Sequence, residues 1–314
     1  MSRKKIAFGL FSNLQGLETG ARRAGFNAPF SSDIEELAST VAPVIWEHKG
    51  KDIFLVKDVR DLIFDKDIRN ALNAIGIDIA KGELDLLVGG PPCFGITLLN
   101  ANFRSVFHAL NFLMIEMLRL VKEIQPKVVL IEQVPTLLSK PMRPFFNYFV
   151  NEIELLGNYH WDVKVLNAEN FGCFQSRNRA MIMLVRKDLV VKPSYPVPNP
   201  VDMNKQSAFA TIGAELIRHK GFKKQSGDRV RIIDGRTKLF PTMTSSDVEI
   251  FRNGLWQKLT IQDRKVLAHM DEYDFNGLIS DAELTKKLGM MVLPPFAEAI
   301  CRHIYSEILE KAAA

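Results

Sequence analysis

Over its first 186 residues the chain alternates short apolar runs with longer stretches in which apolar side chains recur every three or four positions. Ile6–Leu10, Ile53–Val56, Leu84–Val88, Val128–Ile131 and Ala180–Val185 are almost continuously apolar, which predicts strands covered on both faces. Ala28–Ser31 and Val163–Leu166 predict two more strands. Ala109–Glu123 predicts a helix, because Leu110, Leu113, Met114, Met117, Leu118 and Val121 return at helical spacing. Arg143–Leu156 and Ile34–Val41 predict further helices. Strand–helix alternation of this kind implies βαβ units. The predicted fold class is therefore α/β, a doubly wound, mainly parallel sheet, with a second, smaller domain.

The second domain is predicted where the pattern breaks. Near Lys187 the alternation stops, and Pro193, Pro196, Pro198 and Pro200 follow as a linker. Residues 187–240 carry eleven Lys/Arg and five Asp/Glu, a local net charge of +6, so the +5 of the whole chain leaves −1 elsewhere. A basic segment suits a polyanionic partner. After Leu284 a helical pattern returns, with Phe296, Ile300, Ile304 and Ile308 introduced by Pro294-Pro295. The expected division is 1–186 plus 285–314 as one domain and 187–284 as the other; 314 residues accommodate two unequal domains.

Composition narrows the class. At 47% hydrophobic and 25% charged the chain has a globular protein's balance, which excludes collagen and disorder. No stretch approaches the roughly 18 apolar residues of a membrane helix. The basic Met1–Lys5 is followed by too short an apolar run for a signal peptide. An intracellular protein is expected, with no membrane partner. Three cysteines, none in a CxxC pair, argue against a disulfide framework and against a thiolate zinc site; no metal is expected.

In a doubly wound sheet ligands bind beyond the carboxyl ends of the strands. Following the predicted strands stand Phe11-Ser12-Asn13-Leu14-Gln15-Gly16, then Asp33, then Gly89-Gly90-Pro91-Pro92-Cys93, then Glu132. A cysteine is most often a small buried hydrophobe. Cys93 instead follows two glycines and two prolines, a stiff turn that suits a nucleophile. Cys173 and Cys301 keep the buried reading. Glu132 is either a solvated strand end or a partly desolvated carboxyl able to hold or deliver a proton. Asp33 is either a ligand for ribose hydroxyls or the N-cap of the helix it precedes. Arg177 and Arg179, at alternate positions in Gln175-Ser176-Arg177-Asn178-Arg179, point the same way if the segment is extended, and suit phosphate or base oxygens.

These residues resemble the cytosine-C5 DNA methyltransferases. Gly90-Pro91-Pro92-Cys93 is similar to that family's Pro-Cys loop, and Glu132-Gln133-Val134 to its Glu-Asn-Val motif. Gln175–Arg179 matches its Gln-x-Arg-x-Arg motif. Phe11–Gly16, with Gly20 and Ala24-Gly25-Phe26, is similar to its cofactor motif. Pro241-Thr242-Met243-Thr244, Leu259–Arg264 and Lys287–Pro295 resemble its later segments, in the family's order. Several positions depart from the pattern. Asn13 and Gln15 stand where the family has glycine, Met290 and Gln133 where it has Asn, Phe94 where it has Gln, and Ile34 where it has an aromatic residue.

The resemblance implies a Rossmann-like fold that binds S-adenosylmethionine and duplex DNA containing cytosine, at the nucleoid in the cytoplasm or in a nucleus. A monomer is expected because no obvious partner helix is left over. Cys93 would attack C6 of a flipped-out cytosine, Glu132 would engage N3 and the exocyclic amine, and Arg179, backed by Arg177, would hold O2. For the cofactor it implies Phe11, Asn13, Leu14, Gly16 and Pro91 along the loops, Asp33 and Ile34 at the ribose and ring, and Asp58 and Val59 at the adenine edge. Thr97–Val106 would close over the DNA with Arg104 at a phosphate, and Gln175, Lys223, Lys224, Arg229 and Arg231 would also contact DNA. Three other readings stand beside it: a nucleic-acid-binding relative with lost or altered methyl transfer, suggested by Asn13, Gln15 and Met290; an RNA methyltransferase; and another nucleotide-binding α/β enzyme in which Cys93 is structural.

Overall fold

The structure, a computed structural model, describes residues 4–46, 52–96, 106–220, 230–243 and 248–313. The chain packs into two compact units, Met1–Leu166 with Asn178–Pro196 and Ala297–Ala314, and Asn167–Arg177 with Val197–Phe296. The expected division differs from these units at its edges. Asn167–Arg177, expected in the first domain, groups with the second, because Gln175 and Arg177 spend their side chains on backbone carbonyls of that unit. The boundary at the proline-rich linker falls after Pro196 rather than Arg186, and the chain rejoins the first unit at Ala297.

The first unit holds a seven-stranded sheet in the order β3-β2-β1-β4-β5-β8-β6. Its strands are β1 (Ile6–Leu10), β2 (Asn27–Asp33), β3 (Ile53–Val56), β4 (Leu86–Gly89), β5 (Val128–Gln133), β6 (Tyr159–Asn167) and β8 (Asn178–Arg186), with the short β7 (Gln175–Ser176) between the last two in sequence. β1 runs parallel to β2 and β4, β2 parallel to β3, and β4 parallel to β5, while β8 is antiparallel to β5. Every residue of β1, β4 and β5 is buried, as their apolar runs predicted, whereas Ile53–Val56, expected to be covered on both faces, is the part-exposed edge strand β3. Helices α1 (Gly16–Arg23), α2 (Glu36–Ile45), α3 (Asn70–Ala74), α4 (Leu113–Ile124) and α5 (Arg143–Leu155) supply the crossovers. In α4, Met114, Met117, Leu118 and Val121 bury the predicted stripe, while Ala109–Phe112 form a 3-10 turn ahead of it. From β1 the chain steps outward to β2 and β3, then crosses to β4 on the other side. That reversal places a crevice at the carboxyl ends of β1 and β4.

In the second unit β9 (Leu216–Lys220), β10 (Val230–Asp234), β12 (Val248–Arg252) and β13 (Leu255–Lys258) form an antiparallel sheet in the order β10-β9-β12-β13. β11 (Phe240–Pro241) pairs with β7. Short helices α6 (Met203–Gln206) and α7 (Ala208–Ile212) precede this sheet, and α8 (Ile261–Leu267) and α9 (Asp281–Met290) follow it. α8 starts at a reciprocal cap: Thr260 Oγ1 accepts from the Asp263 N–H and the Asp263 carboxylate accepts from the Thr260 N–H. The last helix, α10 (Pro294–His303), buries Phe296, Ile300, Ile304 and Ile308 along itself and the turn that continues it.

Candidate active site

Two loops of the first unit leave the crevice strands. After β4 come Gly90, Pro91, Pro92 and Cys93. Pro91 is buried and Cys93 half-buried, and the Cys93 carbonyl closes a turn by accepting the Ile96 N–H at 2.9 Å. The two other thiols are sealed away, and burial pushes Cys173 up to about 12 and raises Cys301 as well. A sealed neutral thiol is a poor nucleophile, so Cys93 is the cysteine placed for chemistry.

β5 ends beside that loop with Glu132 and Gln133. Gln133 is fully buried; its Nε2 donates to the Pro91 carbonyl at 3.0 Å and its Oε1 accepts the Val134 N–H at 2.8 Å. The amide thus pins the loop two residues before the thiol. Glu132 is only 8% exposed. The antiparallel register sets Glu132 opposite Met181, so Arg179, two residues further along β8, falls on the same face. Its Nε reaches Glu132 Oε1 at 2.5 Å. The carboxylate also lies against Gly90, where a Cβ would come within 3.5 Å of Glu132 Oε2. A carboxylate and a guanidinium, both shielded from water, thus stand next to the Gly90–Cys93 turn.

After β1, the loop adopts the left-handed conformation at Phe11 (φ 55°), Asn13 (φ 45°) and Gln15 (φ 53°). Glycine takes that conformation without cost, while other residues pay about 1–2 kcal/mol. Side-chain and backbone anchors hold it here. The Asn13 N–H donates to Asp33 Oδ2 at 2.9 Å. Gln15 turns inward, and its Oε1 accepts from Trp46 Nε1 at 2.6 Å and from Arg22 Nη1 at 3.2 Å. Phe11 packs on the hydrophobic core and Leu14 lies within it, and Gly16 opens α1.

Asp33 ends β2 rather than capping a helix: α2 begins at Glu36, and Asp33 Oδ1 accepts the Glu35 N–H at 3.0 Å. Each of its oxygens takes one N–H, which leaves lone pairs for hydroxyl donors. Ile34 beside it is 61% exposed, an apolar surface for a planar ring. Asp58 caps the turn that begins at Val59, and Arg60 grips its carboxylate and holds it below the usual carboxylate range. The set of a carboxylate with spare lone pairs, an exposed aliphatic side chain and an ionised second carboxylate fits an adenosine moiety.

Two expected contacts go elsewhere. Gln175 is fully buried in the second unit; its Nε2 donates to the Leu267 carbonyl at 2.7 Å and its Oε1 accepts the Met243 N–H at 2.8 Å. Its amide satisfies backbone groups that burial would otherwise orphan. Arg177 is 1% exposed and donates to the carbonyls of Gly289 and Met291, both at 3.0 Å. It thereby caps the carboxyl end of α9, where a cation is favoured. Arg177 and Arg179 therefore have different partners. Met290, at the end of α9, is 62% exposed. Arg231 is exposed on β10. Arg104, Lys223, Lys224, Arg229 and Thr97–Ser105 of the expected closing loop lie outside the described residues.

Sequence reasoning noted Gln133 only as a departure and did not find its grip on Pro91. It missed Trp46 as the anchor of Gln15 altogether, since 31 residues separate them and no local pattern links them.

Comparison with known proteins identifies the family. The model of the family described as C-5 cytosine-specific DNA methylase matches residues 7–230. The chain is 30% identical over 197 residues to the type II methyltransferase M.FnuDI of Fusobacterium nucleatum, an alignment covering 61% of this chain and 50% of that protein. It is 28% identical to the type II methyltransferase M1.HphI of Haemophilus parahaemolyticus over 94% of this chain and 85% of that one. Of the first curated relatives it matches, the chain spans about half the length. Among solved structures, a protein described as a DNA modification methyltransferase encoded within an E. coli prophage superposes with a TM-score of 0.71 at 19% identity, covering 98% of this chain and all of that one. That likeness establishes the fold.

Proposed function

The chain belongs to the C-5 cytosine-specific DNA methylase family, and we propose that it transfers a methyl group from S-adenosylmethionine to C5 of cytosine in duplex DNA through a covalent bond to Cys93. The observation that carries this reading is the pinned turn ending in Cys93, with the buried Glu132–Arg179 pair against its Gly90.

The base must leave the helix, because C5 and C6 are out of reach within the stack. Cys93, as thiolate, adds to C6 and makes C5 electron-rich. Glu132 accepts from the exocyclic amine and shares a proton with N3, which neutralises the charge that develops on the ring. Arg179 fixes the Glu132 carboxylate and offers its remaining N–H groups to O2. Because both groups are largely shielded from water, their dipoles and charges act in a low effective dielectric and need little reorganisation. Once C5 carries the new methyl group, its proton passes to a solvent base and the Cys93–C6 bond breaks, which restores the aromatic ring and the free thiolate. Dividing one difficult substitution into addition and elimination is the gain of covalent catalysis.

Asp33 would hold the ribose hydroxyls, with Ile34 along the ring, Asp58 and Val59 at the adenine edge, and Phe11–Gly16 with Pro91 along the remaining length. When bound, the cofactor supplies an electrophilic methyl group. Arg231 and the other basic residues of 187–240 follow the phosphate backbone, which makes binding steeply salt-dependent. The relatives named above come from bacteria, which supports a cytoplasmic site of action rather than a nuclear one.

The test is incorporation of labelled methyl groups from S-adenosylmethionine, side by side, into duplex DNA and transfer RNA. Label at C5 of cytosine in DNA is expected. Label only in RNA, or none in either with folded protein, overturns the reading.

A further inference from the structure

Glu18 is the least explained charged residue of the first unit. It sits on α1, one turn after the β1 loop, and its side chain runs back beneath β1. Gly9 makes room for it, since a Cβ there would collide with the Glu18 carboxylate. The register places Ser31 beside Gly9, on the side of the sheet where that carboxylate lies. Among the described residues, Ser12 Oγ, Gln15 Nε2, Glu18 Oε1, Thr19 Oγ1 and Ser31 Oγ are buried with no hydrogen bond of their own, though the Ser12 hydroxyl lies close enough to Glu18 to favour its charged form. Buried polar groups are normally paired. An unpaired set carried by the β1 loop, α1 and β2 marks a place kept polar at a cost.

Burial raises Glu18 to about 7, opposed by the Ser12 hydroxyl and Arg22 and reinforced by Asp33. The Cys301 thiol faces it from α10, with Glu298 nearby, and stays neutral. Arg22 is the cation within reach, and it already serves Gln15 Oε1 and the Ala28 carbonyl.

We propose that Glu18 is a positioning residue for the methyl donor: acting through the β1 loop, its carboxyl loses its proton when the cationic donor binds and regains it when the product of transfer is left. This rests on the assignment of that loop to the cofactor. S-Adenosylmethionine carries a sulfonium and therefore one more positive charge than S-adenosylhomocysteine. A carboxylate sealed in a medium of low effective dielectric senses that difference well beyond contact distance. The proton released goes to solvent as donor binds, and is taken back once the sulfonium has given up its methyl group. The consequence is discrimination of donor from product, which strengthens as Glu18 ionises.

The experiment is isothermal calorimetry of the full chain with S-adenosylmethionine and with S-adenosylhomocysteine, at pH 6, 7 and 8, in buffers of low and high ionisation enthalpy. Glu18→Gln keeps the shape, removes the proton, and subtracts the titration of the ligands' own amino groups. For a group near 7 that falls well below neutrality in the complex, the native chain gains about tenfold in donor affinity between pH 6 and pH 8 relative to E18Q. It releases about half a proton per donor bound at pH 7, and product binding shows neither effect. Donor binding whose pH dependence is equal in the native chain and E18Q overturns this inference and leaves the cofactor assignment standing. Absence of binding by either ligand overturns both.

A second measurement needs no ligand. Because the folded chain holds the Glu18 proton more tightly than the unfolded chain, stability from this group is present at acid pH and is lost as pH rises through about 7. The native melting temperature should therefore fall relative to that of E18Q between pH 5 and pH 8. Parallel curves overturn the inference.

Discussion

The loops after β1 and β4 leave neighbouring strands at the same sheet edge, yet they are stiffened by opposite means. The β4 loop is rigid in its own sequence: two glycines allow close approach and two prolines fix the backbone before Cys93, with Gln133 as a distant anchor on the Pro91 carbonyl. The β1 loop places Phe11, Asn13 and Gln15 in the left-handed region and is held from outside by Asp33, Trp46 and Arg22. A loop of the first kind can be recognised from its residues. A loop of the second kind can be understood only once its anchors are seen.

The comparison can be broken at the β4 edge first. Arg179→Ala leaves the buried Glu132 carboxylate without its ion-pair partner, a change that costs about 3–5 kcal/mol when it occurs in a protein interior. A fall in kcat of about a hundredfold or more is expected, with cofactor affinity within a few-fold of native, read by single-turnover methylation and calorimetry. Arg177→Ala should instead lower the melting temperature of the second unit, because its carbonyl partners lie there. Gln133→Ala removes the grip on Pro91, worth about 1–3 kcal/mol for a buried pair. A fall in kcat of about tenfold or more with unchanged cofactor affinity is expected, since the thiol is then less well aimed.

Smaller effects sharpen the β1 side. Gln15→Gly trades backbone strain for the loss of the Trp46 and Arg22 contacts, and should destabilise by about 1 kcal/mol in a denaturant titration. Asn13→Gly relieves strain and keeps the backbone bond to Asp33, so it should stabilise by about 0.5 kcal/mol. If Gln15→Gly proves more stable than native, the anchors do not hold the loop and the contrast between the two loops fails.

Legibility followed the same divide. The strands were readable because two-sided burial writes continuous apolar runs, as in Val128–Ile131, and α4 because its stripe is buried on one side. The ends were less so: Glu132 and Gln133 belong to β5 itself, since pairing with β8 continues past the apolar run. Cys93, Glu132 and Asp33 could be placed at the strand ends because the edge of a doubly wound sheet has a predictable place in the sequence. Arg177 and Arg179 were read as a matched pair from spacing alone. Nothing local reveals that Arg177 serves carbonyls at 289 and 291, more than a hundred residues on. Glu18 was unremarkable as a letter on a helix and became visible only as a buried group behind a glycine.

The central claim is the covalent bond from Cys93 to C6. Duplex DNA carrying 5-fluorocytosine tests it most directly, because fluorine at C5 cannot leave as a proton does and the elimination that frees the protein is blocked. With S-adenosylmethionine present, the native chain should form an adduct that survives denaturing electrophoresis, and Cys93→Ala should form none. An adduct that persists in Cys93→Ala, or its absence from a native chain that methylates ordinary DNA, would contradict the account.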